Sequence, residues 1–256
     1  MSLAIQEMFQ SVAWRYDLAN DVLSFGTHHF WKRLAVKKTD IKAGYHALDL
    51  CTGTGDIAFL LAKAAAPNGK ITAIDFSSRM LDLAKKKYAQ LMAKQRFSKR
   101  IAPIDFILGD VCEIPLPDNS VDVVTIGFGI RNVDDPIRCL NEVKRVLKPE
   151  GKLVVLEFGQ PKLAGFSSVY QFYSKFIMPS IGGFITGNRE AYQYLPRTSA
   201  QFPAGERFMS LLQQAGLSAQ KSISLFAGIA YIYLAQTSTV EEEMLGQHKI
   251  NEYANA

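Results

Sequence analysis

Apolar side chains recur along this chain at two spacings, and the spacing changes with position. Near the N-terminus Ile5, Met8, Phe9 and Val12 repeat at three and four residues, predicting an amphipathic helix over 3–13, with a second over 28–38. Between them Tyr16-Asp17-Leu18-Ala19-Asn20-Asp21 is polar and aromatic at once and reads as part of an N-terminal helical cap. From Tyr45 onward short β-rich runs alternate with helical ones. Strands are predicted over 46–51, 70–76, 104–109, 121–128 and 151–158, and helices over 55–66, 78–97 and 134–148. The last of these has Asp134 or Asp135 to cap it, Pro136 in its first turn, and Pro149 and Gly151 to stop it. Such alternation predicts an α/β fold with a doubly wound, mostly parallel sheet.

Residues 160–204 break the alternation. Nine Phe or Tyr residues fall between Phe166 and Phe202, and Pro179, Pro196, Gly182, Gly183 and Gly187 are expected to interrupt any long helix. An insertion of this length is more often functional than ornamental. A helix over 206–215 follows, then two strands around a turn at Phe226-Ala227-Gly228, which complete a seven-stranded sheet ending in an antiparallel hairpin. The run from Ser222 to Val240 is uncharged, yet Ser222, Ser224, Gln236, Thr237 and Ser238 dilute it, favouring the hairpin over a transmembrane helix. The expected organisation is a cap over 1–40, a main domain over 41–237 carrying the aromatic insertion, and a mobile tail over 238–256.

Composition narrows this little. A chain of 256 residues that is 48% hydrophobic and 21% charged suits one large globular domain with additions and excludes a disordered protein. Cys51, Cys112 and Cys139 have no metal-ligand spacing and form no disulfide framework, so no metal site is expected and a reducing compartment is. Glu7, Arg15 and Asp17 argue against a secretory signal, and the cytoplasm is the expected location. The net charge of +5 gathers between Arg79 and Arg100, at Lys85, Lys86, Lys87, Lys94, Arg96, Lys99 and Arg100. That run reads as a solvated helix face, with a membrane surface as the second reading.

Right-handed crossovers would bring the C-terminal ends of all parallel strands to one rim, where ligands of such sheets bind. Gly53, Asp75, Asp110 and the run from Phe128 to Asn132 each follow a predicted strand. Gly53 and Gly55 allow a tight turn and close approach of a ligand to the backbone. Asp49, on the strand before them, is placed for the cationic amino group of a methionine moiety, and Asp75 for two ribose hydroxyls. Phe76 and Gly127, at the ends of strands two and four, join the candidate cofactor set, with Asp110 placed for an adenine amino group. Gly53-Thr54-Gly55-Asp56-Ile57-Ala58 also fits a dinucleotide fingerprint. Asp56 at the helix start, with Asp49 nearby, would repel a pyrophosphate, so S-adenosyl-L-methionine is the expected cofactor and Asp56 itself reads as a first-turn residue.

These residues resemble the ubiquinone/menaquinone biosynthesis C-methyltransferase family from about Met8 to Gln236. The resemblance rests on Tyr16-Asp17 with Asn20-Asp21, on Ser24-Phe25-Gly26 with His28 and Trp31-Lys32-Arg33, and on Leu48-Asp49-Leu50 with Gly53-Thr54-Gly55-Asp56. Phe128-Gly129-Ile130-Arg131-Asn132-Val133, Leu147-Lys148-Pro149 and Leu156-Glu157-Phe158 carry the rest. It implies a class I S-adenosylmethionine methyltransferase fold and cofactor contacts at Thr54, Asp75, Asp110 and Val111. Two departures stand out: Gly127 replaces a frequent serine, and Asp110-Val111 replaces an Asn-Ala pair.

The implied reaction moves a methyl group onto a ring carbon of a prenylated quinol, which must be reduced because an oxidised quinone is electrophilic. Arg131 is the candidate for stabilising the oxyanion and Asn132 for orienting the hydroxyl, while Tyr16, His28 and His29 are further candidates from the cap. The aromatic insertion suits an isoprenoid tail or a lid, with transient membrane contact expected. Assembly state is not legible, a homodimer being one expectation. Three other readings compete. A nucleic-acid methyltransferase lacks support because strand four ends without an Asn/Asp-Pro-Pro-Tyr/Phe run. A magnesium-dependent catechol O-methyltransferase would need a cluster of acids after strand four, where Asp134 and Asp135 read better as helix caps. A non-catalytic cofactor sensor would bind the donor and transfer nothing.

Overall fold

Strand β1 (His46–Leu50) buries Ala47, Leu48, Asp49 and Leu50 without alternation, as a central parallel strand covered on both faces must. In the computed structural model, which describes residues 3–94 and 101–237, β1 pairs in parallel with β2 (Lys70–Asp75) and with β4 (Val121–Gly127). Beyond β2 lies β3 (Ile104–Leu108), and beyond β4 lies β5 (Leu147–Phe158). An antiparallel pair, β6 (Ser218–Leu225) and β7 (Ala230–Gln236), closes the sheet through β7 against β5. The order is β3-β2-β1-β4-β5-β7-β6, so the expected seven-stranded doubly wound sheet with a terminal hairpin is the one observed. Strand order reverses between β1 and β4, and this switch point locates the site.

The two faces of β1 enter two different cores. Leu48 and Leu50 pack with Cys139, Leu140 and Val143 of α6 (Pro136–Val146) and with Phe208 and Leu212 of α10 (Glu206–Gln214). Ala47 packs on the other side with Ile57, Ala58 and Leu61 of α4 (Asp56–Ala65) and with Val36 of α3 (Thr27–Lys38). α5 (Ser78–Ala93) is capped by Ser77, whose hydroxyl accepts from the Met80 amide at 3.4 Å. Arg96, Lys99 and Arg100 of the basic run, and all of 238–256, lie outside the described residues.

Several expectations change. Helix α6 stops at Val146, because Leu147 already pairs with Val121 and begins β5 four residues before the predicted start. Its cap is Asp135, which accepts from the Arg138 amide at 2.9 Å. The cap segment between α1 (Leu3–Val12) and α3 forms a helix of its own, α2 (Tyr16–Leu23), which buries Ala19 and Leu23.

The insertion differs most. Its prolines and glycines do not interrupt it: α7 (Phe166–Phe172), a π-turn over Tyr173–Ile177 and α8 (Met178–Thr186) follow without a gap. Gly182 sits inside α8, where a Cβ would stand 2.3 Å from the Tyr192 ring, so it is there for close helix packing. Only Gly187, at φ 78°, ends a helix as expected. Pro196 lies within α9 (Arg189–Gln201) and is accommodated there. Val12, Ala19 and Leu23 of the cap pack directly on Met178, Ala191 and Tyr192 of the insertion. Cap and insertion thus form one roof above the strand ends. No helix among the described residues is long and apolar enough to cross a membrane.

Candidate active site

The turn after β1 is built from left-handed residues: Cys51 at φ 55°, Gly53 at 57° and Gly55 at 89°. Phe128, after β4, is also left-handed at φ 56°. Two non-glycine residues in that region, each directly after one of the two strands that flank the switch point, are the local strain found where a site is held in shape. Gly129 allows the two turns to touch, since a Cβ there would lie 2.3 Å from Cys51 Cβ. Gly127 leaves room for Ile57, whose Cδ1 a Cβ would meet at 2.3 Å.

Above these turns lies a cavity of about 400 Å³, within the size range of small-molecule sites. Its floor includes Asp49, Gly53, Thr54 and Gly127; its walls come from the cap, at Tyr16, His28 and Trp31, and from the insertion, at Tyr170, Tyr173 and Tyr192. A smaller hollow of about 40 Å³ shares Tyr16, Cys51, Gly53 and Gly127 with it and is further lined by Asp75, Phe76, Met80 and Asn132.

Asp49 is fully buried on β1, and its two oxygens accept from the hydroxyls of Thr52 and Thr125, each at 2.6 Å. Burial pushes its carboxyl up to about 6, against the pull of those two hydroxyls. Asp75 ends β2 and accepts from the amides of Gly53 at 2.7 Å and Ser77 at 2.9 Å. Burial raises it likewise to about 6, the amide bonds opposing. Both carboxylates are therefore oriented by protein donors and keep further lone pairs toward the cavities they line.

Asp56 does more than begin a helix. It is paired with Lys32 of α3 at 2.8 Å and Lys87 of α5 at 3.0 Å. Burial alone would raise its carboxyl, but the two ammonium groups hold it well below the usual range. Lys87 also reaches Asp17 at 2.6 Å and the Thr54 hydroxyl at 3.0 Å, and that hydroxyl donates to Asp17 at 2.7 Å. Lys87 thus leaves the solvated face assigned to it and ties the cap to the glycine turn. With Asp56 neutralised by two cations, the charge argument against a pyrophosphate rests on Asp49 and Asp75.

Asp110 and Val111 stand apart. Asp110 is exposed, with Oδ1 accepting from the Cys112 amide at 2.9 Å; Val111 is core; neither lines the two cavities.

His28 is buried in the cap and lines the large cavity. The Ser24 hydroxyl has one proton and gives it to the Asn20 carbonyl at 2.6 Å. Its 2.7 Å contact with His28 Nδ1 then requires the imidazole to donate, which leaves the lone pair on Nε2. Burial, with Lys32 and His29 nearby, lowers this imidazole to about 4, so it is neutral at ordinary pH. His29, half exposed, contacts Asp21 at 2.7 Å instead.

Arg131 is ion-paired at 2.7 Å with Glu157, a fully buried acid of β5, and also donates to the Phe128 carbonyl. Its Nε is buried without a hydrogen-bond partner, as are Trp31 Nε1 and the Tyr192 hydroxyl; all three residues line the large cavity. Unpartnered polar groups gathered on residues around one cavity are what the oxygens of a ligand would satisfy. Asn132 instead accepts from the Tyr194 hydroxyl of α9 at 3.1 Å and lines the smaller hollow, joining the β4 turn to the insertion. Lys32, Asp17 and Glu157 had signalled themselves only as parts of quoted motifs; Lys87, Trp31 as a donor and Tyr194 carried no signal that spacing could separate from an ordinary helix face.

Comparison with known proteins places this geometry. The sequence model of the ubiE/COQ5 methyltransferase family matches residues 2–237. The ubiquinone/menaquinone biosynthesis C-methyltransferase UbiE of Bdellovibrio bacteriovorus is 44% identical over 90% of this chain and 94% of its own length. A demethylmenaquinone methyltransferase of Staphylococcus aureus is 37% identical over 90% and 91%. Among solved structures, a SAM-dependent methyltransferase from Aquifex aeolicus superposes with a TM-score of 0.53 at 22% identity, covering 80% of this chain and 88% of its own, and shares the fold.

Proposed function

Because the chain belongs to the ubiE/COQ5 methyltransferase family, and is thereby an S-adenosyl-L-methionine-dependent methyltransferase, we propose that it methylates a ring carbon of a prenylated quinol. The observation that carries this reading is the large cavity itself: carboxylate and glycine turn at its floor, three unpartnered polar groups on its wall residues, aromatic helices as its roof. Bound S-adenosyl-L-methionine supplies a methyl group made electrophilic by its sulfonium. Asp49 suits the ammonium of that molecule, the glycine turn at Gly53 and Gly55 admits it closely, and Asp75 with Phe76 and Met80 suits its nucleoside end.

For the acceptor ring, His28 Nε2 takes the hydroxyl proton and Arg131 Nε faces the oxygen that gains charge. Electron density then moves to the neighbouring ring carbon, the nucleophile. As that carbon takes the methyl, the bond from methyl to sulfur breaks; the ring C–H proton then leaves to restore aromaticity. His28 accepts it once its first proton has passed to Asp21, 3.5 Å from Nε2, and one of the two protons returns to the ring oxygen while the other goes to solvent. Tyr16, which lines both cavities, closes the ring site against water, and Asn132 positions the turn that carries Arg131. The tail of such a substrate resides in a bilayer, so the reading includes contact with a membrane surface.

Donor affinity should depend on pH. The ammonium of the donor favours ionised Asp49, so binding releases a proton below about pH 6 and tightens as pH rises, by up to about tenfold per pH unit for each proton released. Above that value it levels off. Asp49→Asn should weaken binding by about 10- to 100-fold and flatten the profile, as titration calorimetry at several pH values would register. A profile through pH 5 to 7 that is equally steep in the variant would assign the titration to another group.

The reading itself is tested by labelled-methyl transfer to matched demethylnaphthoquinols and methoxybenzoquinols, with and without a reductant. Transfer to at least one ring type only under reduction is expected. Transfer to RNA instead, or donor binding without turnover on any quinol, would overturn it.

A further inference from the structure

The roof of the cavity is apolar on its outside as well as its inside. From Phe166 through the π-turn to α8, the exposed side chains include Val169, Phe172, Phe176, Ile181 and Phe184, with Phe184 90% exposed. They recur at three to five residues, so they form one face, which the π-turn keeps in register by adding a residue. No carboxylate occurs between Glu157 and Glu190, while Lys162, Lys175 and Arg189 do. Within this segment the charged side chains are therefore cations only, and Lys175 lies over the Phe176 ring at 5.3 Å.

Contacts made by Tyr173 and Arg15 make it continuous with the cap. The Tyr173 hydroxyl donates to the Leu23 carbonyl at 2.7 Å, and its ring lies 6.5 Å from that of Phe25, which is 84% exposed. Arg15 reaches the Ile185 carbonyl at 3.0 Å and lies over the Trp14 ring at 4.1 Å, an aromatic and basic pair at the far end of the same face. Phe25, Phe166, Val169 and Phe226 are at once exposed and part of the cavity lining, so the mouth of the cavity opens on this face.

We propose that this face seats on an anionic lipid bilayer, with Phe172, Phe176 and Phe184 in the acyl boundary, so that the cavity mouth opens into lipid and a prenylated ring enters laterally while its tail stays in the membrane. Exposed apolar area of this extent on one side of a protein marks an interaction site. Its charge selects the occupant: aromatic side chains flanked by lysine and arginine suit an anionic interface. A second copy of the chain seated here would seal the mouth with the same side chains that line it. The substrate's route rests on the quinol reading; the docking does not.

The test is flotation of the full chain with phosphatidylcholine vesicles, with and without phosphatidylglycerol. Flotation that requires phosphatidylglycerol is expected, together with a loss of about tenfold or more in the combined Phe172→Ser, Phe176→Ser, Phe184→Ser variant. The same variant should methylate a short-tailed, water-soluble quinol at the parent rate, which shows it folded, and lose rate on a long-tailed quinol in vesicles. Brominated lipids should quench Trp14 and spare buried Trp31, so Trp14→Phe should abolish quenching. The proposal is overturned if the parent does not float, if the variant floats as the parent does, or if the parent is a dimer that the variant breaks with no vesicle binding by either. Phosphatidylglycerol-dependent flotation lost in the variant, but with no quinol of any tail length methylated by the parent, would uphold the docking and sink the quinol reading alone.

Discussion

His28→Ala is expected to lower kcat by about 10²- to 10⁴-fold, the usual contribution of a positioned acid or base, and to leave the affinity for S-adenosyl-L-methionine unchanged. The expectation follows from the tautomer. Ser24 directs its single proton to the Asn20 carbonyl, so the imidazole of His28 must place its own proton on Nδ1 and present a bare Nε2. Its ordinary range would have it half protonated near neutrality, but burial first, and then Lys32, lower it to about 4. Hence kcat, measured at saturating donor, should show no acid limb at the ordinary imidazole value. Ser24→Ala should cause a smaller loss by freeing the ring to exchange tautomers. A His28→Ala enzyme that turns over at the parent rate, or one that merely melts earlier with kcat intact, would remove His28 from the chemistry.

Arg131→Ala is expected to cost about 3–5 kcal/mol of folding stability, the cost of stranding one partner of a buried pair. Glu157 is fully buried and depends on Arg131 for its counter-charge; besides the guanidinium it accepts from the backbone amides of Phe158 at 2.8 Å and Arg131 at 3.3 Å. Those two amides orient the carboxylate but cannot neutralise it. The same guanidinium holds the Phe128 carbonyl, so its loss also frees a turn whose backbone is left-handed. Denaturant titration would register the change, and pairing the substitution with Glu157→Leu should recover part of it, since the stranded charge is then gone. A single-variant loss below about 1 kcal/mol would mean that water reaches Glu157 and that the pair is not sealed.

These two residues differ in how legible they were. Arg131 and His28 stand in quoted motifs, and the rim rule placed Arg131 correctly after β4, because strand periodicity and turn glycines are local signals. The doubly wound, mostly parallel sheet with its terminal hairpin followed from the same alternation, whereas the order of its strands is set by tertiary pairing. What pattern reading missed is long-range. Asp56 reads as a first-turn acid until Lys32 and Lys87 arrive from two other helices. Lys87 reads as one of a charge run until the fold turns it toward Asp17 and Thr54. The insertion misled for a different reason. Pro196 and Gly182 are unfavourable in a helix taken alone, by about 3 and about 1 kcal/mol, but Gly182 gives room to the Tyr192 ring, and tertiary packing decides over local propensity. Asp110, by contrast, follows its strand as expected and yet lies outside both cavities, since β3 is an edge strand two positions from the switch point.

The central claim is carbon methylation of a reduced ring within the roofed cavity. Its most direct test is the reaction of the enzyme with ¹³C-methyl-labelled donor and a demethylated prenyl quinol, followed by carbon NMR of the product. The account predicts a label bonded to ring carbon, formed with the quinol and absent with the quinone. A methoxy signal, or equal product from the oxidised ring, would contradict it.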